Sequence, residues 1–425
     1  MTGADDPKPI AALMSLEEAR ARAQAVGTLC PVETYRVREA HARTLAEPIY
    51  ARHNQPGADL SAMDGYAVKA ADQWQAGDTA AVAFDIPAGT HTIPTLPART
   101  AARILTGAPV PHGADTVVIQ ENVRLIGEGN DRSIIFQETP TPKWHIRKAG
   151  FDFETGKTLL EAGHRLTDRD LGLLAGSGHE SVAVRAKPRV VILATGDEIM
   201  SPEKAVTPTA QADSNTPMIA AHLEKAGGQV VETAILKDKP DVIGKALEKA
   251  LGADLIVTIG GASVGDRDYI PAALQSLGYS LDVWKIAMRP GKPMIVANAT
   301  GKPLVHALPG NPVSAYICAY LITSLAIRAL MGDAAPPLLK PIMAISTTAH
   351  KVNNHRAAFL RAHLGLTEGR LQITADPNQD SAKLTTLAYA NALLYRPPHA
   401  SAIPAGETVP CFPLGETFQD LTGTG

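Results

Sequence analysis

The sequence is poor in cysteine, in aromatic side chains and in net charge. Its 425 residues hold three cysteines, Cys30, Cys318 and Cys411. They lie far apart and none has the C-x-x-C spacing of a zinc or redox site. So sparse and odd a count speaks against a disulfide framework and fits a reducing, cytoplasmic compartment. Aromatics are 4% of the chain, too few for a platform that stacks single-stranded bases. The 40 Lys and Arg are matched by 43 Asp and Glu, a net charge of −3. That balance lacks the basic excess of a nucleic-acid or anionic-membrane binder. The P-loop G-x-x-x-x-G-K-[ST], the zinc motif H-E-x-x-H and the dinucleotide G-x-G-x-x-G are missing too, which argues against P-loop hydrolysis and nicotinamide chemistry. Met1–Ile10 is polar and unlike a secretory leader. The one long apolar stretch, Val313–Leu330, contains Ser314, Tyr316, Tyr320, Thr323, Ser324 and Arg328. So much polarity predicts a buried core helix rather than a membrane span.

What is present suggests two to four domains rich in tight turns, with 35 Gly and 32 Pro. The middle third alternates apolar runs with helical periods. Strands are expected at Arg189–Ala194, Gln229–Ile235, Asp254–Ile259, Leu281–Ala287, Met294–Ala297 and Leu304–Leu308. Helices are expected at Ser214–Gly227, Asp241–Leu251 and Tyr269–Leu277. Such alternation implies a parallel sheet with helices on both faces, whose ligands sit at the carboxyl ends of the strands. Residues 51–149 carry short β-rich runs with proline breaks, and Thr167-Asp-Arg-Asp170 resembles a helix capping box. After a linker at Gly332–Pro337, residues 338–425 alternate strands and turns as a small β-barrel or sandwich would. The overall expectation is an α/β multidomain protein with β-rich flanking domains. A helix at Leu16–Val26 stands alone at the start.

Candidate chemistry concentrates in the loops after the expected strands. Gly260-Gly-Ala-Ser-Val-Gly-Asp-Arg-Asp-Tyr269 has glycines that can turn backbone N–H groups onto an anion, the Ser263 hydroxyl, and Asp266 and Asp268 just beyond. A phosphate beside carboxylates is a usual setting for Mg²⁺. The same loop contains a literal G-x-S-x-G, but no helix follows at once and no HGGG motif precedes it, so a serine hydrolase using Ser263 is the weaker reading. Thr195-Gly-Asp-Glu198 and Asp238 add acidic groups, which repel one another unless a cation offsets them. Lys285, Arg289 and Lys292 sit on a turn stiffened by Pro290, Gly291 and Pro293, suited to a small dianion. Leu308-Pro-Gly-Asn-Pro312 leads into the long apolar helix, with Asn311 at a good N-cap position and Pro312 at the first helical one.

Six stretches, SAMDGYAV, RILTGAPVPHGADTVVIQE, TGDE, GGASVGDRDY, RPGKP and LPGNPVSA, occur in order between residues 61 and 315. Together they resemble the molybdopterin molybdenumtransferases of molybdenum-cofactor synthesis, whose module also forms the E-domain of gephyrin. The resemblance implies an L-shaped, four-domain homodimer. Its parts would be residues 13–31 plus 186–333 (the molybdopterin-binding domain), 32–50 plus 150–185, 51–149, and 334–425. It implies insertion of molybdate into adenylated molybdopterin with release of AMP and a Mg²⁺ cofactor. The adenylyltransferase that makes the substrate and molybdoenzyme-maturation proteins are the implied partners. Catalytic positions carried over are Asp64, Thr106, Asp152, Glu198, Asp238 and Asp268, with Glu198, Asp238 and Asp268 as metal ligands. Substrate-binding positions are Ser214, Asn215, Gly260, Gly261, Ser263, Gly265, Lys285, Arg289, Lys292, Pro309, Gly310, Asn311, Pro312, Ser314, Arg361 and Ser381. Ala194 replaces the usual Ser before TGDE, Gln211–Asn215 varies the usual helix start, and Arg289 stands where some members have Lys. A non-catalytic scaffold, as in gephyrin's receptor-binding role, would not need all these carboxylates. An adenylyltransferase would share the sheet domain without the SAMDGY and TGAP motifs.

Overall fold

The computed structural model describes residues 13–25, 28–261, 269–334 and 341–414. Six strands of the middle third form one sheet: β1 (Arg189–Thr195), β2 (Gln229–Leu236), β3 (Leu255–Ile259), β4 (Ser280–Lys285), β5 (Pro293–Asn298) and β6 (Leu304–Leu308). Their spatial order is β2-β1-β3-β6-β5-β4. The first four in that order are parallel. The sheet is not parallel throughout, because β5 runs antiparallel to both β6 and β4. The connections 286–292 and 299–303 are shorter than the crossover of roughly a dozen residues that a parallel pair needs.

The helices are α1 (Leu16–Gln24), α2 (Asp168–Gly176), α3 (Asn215–Ala226), α4 (Pro240–Lys249), α5 (Tyr269–Ser276), α6 (Pro312–Leu330) and α7 (Leu384–Tyr389). β1 shows why its apolar run is unbroken. Val190 and Ile192 pack into one core with α3, α6 and Leu16, Ala19 and Ala23 of α1. Val191 and Leu193 face the opposite core with Ile243 and Leu247 of α4. Burying each such side chain contributes about 1.5–3 kcal/mol.

The long apolar stretch forms α6, whose mean hydropathy is 1.6 and which is 83% buried inside the chain. It is the core helix of the sheet. Its middle, Ala319–Thr323, widens into a π-turn. The hydroxyls beside that turn are taken by two histidines: Ser324 Oγ lies 2.8 Å from His222 Nε2, and Thr323 Oγ1 lies 3.1 Å from His306 Nδ1. Burial lowers both histidines to about 4, so both are neutral at pH 7.

Beyond the linker, five strands close into a barrel: Ile342–Ser346, Ala357–Thr367, Arg370–Ala375, Ala392–Arg396 and Thr408–Pro413. Its Phe359, Leu393 and Phe412 join the core that holds α6, so barrel and sheet share apolar packing. Residues 65–136 hold a six-stranded sheet with a core that includes Tyr66, Trp74, Ile134 and Phe136. Between these parts, Val32–Arg36 pairs with Ser181–Arg185, and Ile49–Tyr50 with Thr158–Leu160. The expected capping box is present: Thr167 accepts from the Asp170 N–H, and the Asp170 carboxylate accepts from the Thr167 N–H.

The buried histidines make stability depend on pH. Their folded values lie below the unfolded value near 6.5. The unfolded chain therefore takes up protons first as pH falls, and stability that is full at pH 7 declines below pH 6.5. Each histidine adds a slope of about 1.4 kcal/mol per pH unit at most. Urea unfolding between pH 7 and pH 5 should show this loss, and His222→Gln should flatten it by about half of the two-histidine slope. A variant with the wild-type slope would contradict the assignment.

Candidate active site

The parallel register brings four strand ends to one edge. Thr195 of β1 aligns with Leu236 of β2, Ala194 with Ile259 of β3, and Ile259 with Leu308 of β6. The next backbone groups continue the alignment: Gly196 N–H donates to Leu236 O at 3.3 Å, and Gly260 N–H to Leu308 O at 3.0 Å. Gly260 has φ +92°, and a Cβ there would lie 2.7 Å from Thr195 O. Only glycine fits that crossing. Gly261 follows at φ +64°.

The loops enclose a cleft of about 520 Å³. Glu198, Asp213 and Asp238 supply its carboxylates, and Asn215, Gly260, Gly261, Tyr269, Pro309, Gly310 and Asn311 complete much of the wall. Asp238 is positioned by its own backbone, which donates to Asp197 Oδ1 at 3.4 Å, while Lys237 Nζ donates to Asp197 O at 2.8 Å. Asp213 is a cleft residue that sequence reasoning missed. It is buried and accepts from the Thr216 N–H at 3.0 Å, capping α3. The signal was an Asp three residues before a helical Thr, in the segment noted only as a variant helix start. Ser263, Gly265, Asp266 and Asp268 lie outside the described residues. Carboxylates such as Glu198 and Asp238 suit Mg²⁺, which takes few protein ligands and keeps water. Among the described residues no group of three His, Cys, Asp or Glu side chains is placed to hold a metal ion.

The Pro309–Pro312 turn is held from two sides. Asn215 Nδ2 donates to Gly310 O at 2.7 Å. Asn311 stands at the N-cap of α6 but makes no capping bond with its side chain. Its Nδ2 donates instead to Ser381 Oγ of the C-terminal region at 3.2 Å. The backbone of Ser381 completes the cap, its carbonyl accepting from the Val313 N–H. The loop bearing Ser381 is anchored by Arg361, which is 1% exposed and donates through Nη2 to Asp380 O at 3.0 Å. Ser314 is buried in α6, and Ser214 lies beside the cleft at the start of α3.

The cationic turn is likewise tied to the barrel. Met288–Arg289 pairs with Ala357–Ala358, and Arg289 Nη2 donates to Asn353 Oδ1 at 2.9 Å. Asn353 is 4% exposed and its amide donates to three carbonyls, so Arg289 is fixed by a residue the sequence did not single out. Arg289 and Lys292 are exposed and Lys285 half-buried. Pro293, at the end of their turn, reaches the cleft wall, while the three cations lie outside it.

Two motifs that looked like plain loops form one constellation elsewhere. Ser61 N–H donates to Ala108 O and Gly107 N–H to Ser61 O, both at 2.9 Å. This clasp sets Asp64 Oδ1 to accept from Thr106 N–H at 2.7 Å and from Thr106 Oγ1 at 2.8 Å. These two bonds hold the exposed Asp64 carboxyl below its ordinary range. Gly65 cannot change, since a Cβ would lie 2.0 Å from Val118 O. Asp152 is exposed in a turn whose N–H donates to Gln55 O. Asp64, Thr106 and Asp152 do not line the cleft of the same chain.

Three family models match along the chain: the MoeA N-terminal region (domain I and II) at residues 14–178, a probable molybdopterin binding domain at 191–329, and the MoeA C-terminal region (domain IV) at 344–414. The molybdopterin molybdenumtransferase of Haemophilus influenzae is 34% identical over 418 residues, 97% of this chain and all of that one. The chain belongs to the molybdopterin molybdenumtransferase family. It is therefore an enzyme, as the curated members of that family are. The Nostoc member is 32% identical over 95% of both chains, and the Bacillus subtilis member 34% identical over 86% of both. The molybdopterin biosynthesis MoeA protein of Pyrococcus horikoshii shares the architecture, with TM-score 0.79 and 26% identity over 96% of this chain and 100% of its own.

Thr106→Val removes the hydroxyl donor to Asp64 and leaves the backbone one. The Asp64 carboxyl should then titrate higher, part of the way to its ordinary value, in carboxyl-resolved NMR. An unchanged titration would show that the hydroxyl does not stabilise the carboxylate.

Proposed function

We propose that the chain joins molybdate to adenylated molybdopterin and releases AMP. The observation that carries this reading is a cleft at the carboxyl edge of the sheet, lined by Glu198, Asp213 and Asp238 together with the Pro309–Asn311 turn. An acidic wall suits a cation-assisted phosphoanhydride, and a rigid turn tied to Ser381 suits a tetrahedral oxyanion. Water adds to one phosphorus of the anhydride, the P–O–P bond breaks, and AMP leaves with its own phosphate. The glycines of the 260–265 loop and Ser263 would cradle the phosphates with preorganised donors. Mg²⁺ would be held by Glu198, Asp238 and Asp268, and when bound would neutralise charge on the phosphate oxygens.

Lys285, Arg289, Lys292 and Ser381 would draw in molybdate and orient it, with Arg361 and Asn353 fixing two of these groups. As the dithiolene sulfurs bond to molybdenum, their two protons leave with one molybdate oxygen as water, and no electron is transferred. The chain's cysteines, all buried, have no part in the step.

The exposed Asp64–Thr106 pair would complete the cleft of a second copy in a homodimer. The adenylyltransferase that forms the substrate would supply it, and molybdoenzyme-maturation proteins would take the product, in the cytoplasm.

Purified protein incubated with adenylated molybdopterin, molybdate and Mg²⁺ should release AMP and bind molybdenum to the pterin in equal amounts. AMP release without metal insertion, or neither, would contradict the reading. Asp64→Asn and Asp268→Asn chains should each be inactive, and an equal mixture should regain about a quarter of wild-type activity. Half of the dimers are mixed, and one of their two sites is intact. A mixture no better than its parents would exclude sites shared between copies.

A further inference from the structure

Asp64 lies at the mouth of a three-strand ladder. Gly65–Val68 runs antiparallel to Thr100–Ile104 on one side and to Thr116–Ile119 on the other. The central strand begins one residue after Asp64, and its first residue is glycine. Glycine restrains its own backbone least of all residues. A carboxylate carried just ahead of it needs support from elsewhere to keep one direction.

Arg103 supplies that support. It stands opposite Tyr66 in the ladder, and its guanidinium carbon lies 5.1 Å from the centre of the Tyr66 ring. From there its fork crosses the central strand. Nη1 donates to Gly65 O at 3.0 Å, and Nη2 donates to Gln120 Oε1 at 2.8 Å. Gln120 is tied to the acid as well, since its backbone N–H donates to Asp64 O at 3.1 Å. The carbonyls of Asp64 and Gly65 are thus both held, one by Gln120 and one by Arg103. Arg103 also precedes Thr106 by three residues on the same segment, so its fork ties the strand before Thr106 to the strand after Asp64.

The charge of Arg103 is not spent on another acid. Its two bonds end on neutral oxygens, and among the described residues it forms no ion pair. The Thr106 bonds do most to hold the Asp64 carboxyl low, and the Arg103 charge adds to them. Both Thr106 bonds end on Oδ1. Among the described residues Oδ2 takes no bond, which leaves it for a ligand.

We propose that Arg103 is a positioning residue for Asp64: together with Gln120 it fixes the backbone that aims the free carboxylate oxygen. The inference rests on the function proposed above, in which Asp64 completes the cleft of a second copy. Arg103 acts through Asp64 rather than on the substrate. A lysine would keep the charge but could not span two oxygens with a planar fork.

The test uses the full-length protein and three variants. Arg103→Met removes fork and charge, Arg103→Lys removes the fork alone, and Gln120→Leu removes one anchor at an exposed position. In the transfer assay both Arg103 variants should lower kcat at least about tenfold and Gln120→Leu at least about threefold. The KM for molybdate should stay within about twofold, because the cations assigned to it lie on another domain. In carboxyl-resolved NMR, Asp64 of Arg103→Met should titrate higher than in the wild type. Arg103→Met should regain activity when mixed with Asp268→Asn chains and not when mixed with Asp64→Asn chains.

Wild-type kcat in a folded Arg103 variant, an unmoved Asp64 titration, or a loss that falls on the molybdate KM would overturn the proposal. Comparable urea midpoints identify a folded variant. Should both Arg103 variants unfold, Gln120→Leu decides, and wild-type kcat in that protein would overturn the proposal too. The Asp64 titration is read without substrate, Mg²⁺ or turnover. Failure of the wild type in the transfer assay would therefore count against the proposed function, while the titration still decides whether Arg103 acts on Asp64.

Discussion

The site depends on the register of three parallel strands. β1, β3 and β6 end level with one another, and the chain must leave all three at once in a small space. Gly260 makes this possible. Its backbone passes against Thr195 and donates to Leu308 O, at a φ of +92°. Among the described residues, the loops that bear Glu198 and Asp238 leave the sheet at this edge. Binding and catalytic side chains commonly sit on loops whose origins are held by a rigid frame. The ladder supplies the frame, and its two apolar faces hold it in place.

The barrel acts on the cleft through few contacts, each at a loop that bears candidate chemistry. Ser381 takes the Asn311 amide and the Val313 N–H, and Asn353 takes the Arg289 guanidinium. The shared core around Phe359 and Phe412 makes these contacts a consequence of packing rather than of chance approach. Displacing the barrel would loosen both loops together. The C-terminal part is thus a structural condition for the oxyanion region, although most of its residues lie away from the cleft.

Much of this was legible in the sequence, because the signals were local. Apolar runs gave the six strands of the sheet, glycine and proline gave their ends, and the carboxyl-end rule pointed to Glu198, Asp238 and Pro309–Asn311. What was hidden was long-range. Asn311 reads as a cap, yet its side chain bonds to a residue seventy positions on. Asn353 reads as a polar turn residue until its contact with Arg289 is seen. Asp64 and Thr106 lie in unremarkable loops, and only the fold pairs them. The direction of β5 was misread because apolar periodicity marks a strand but not its polarity, and the short flanking connections were the better guide.

The central claim is that level strand ends at Gly260 create the substrate site. Gly260→Ala tests it most directly, since a single methyl meets Thr195 O while the strands themselves are unaltered. The account predicts an AMP-release rate at least about a hundredfold below wild type, a barrier increase of roughly 2.7 kcal/mol, in a chain that keeps its far-UV circular dichroism. A folded Gly260→Ala protein with near wild-type AMP release would contradict it.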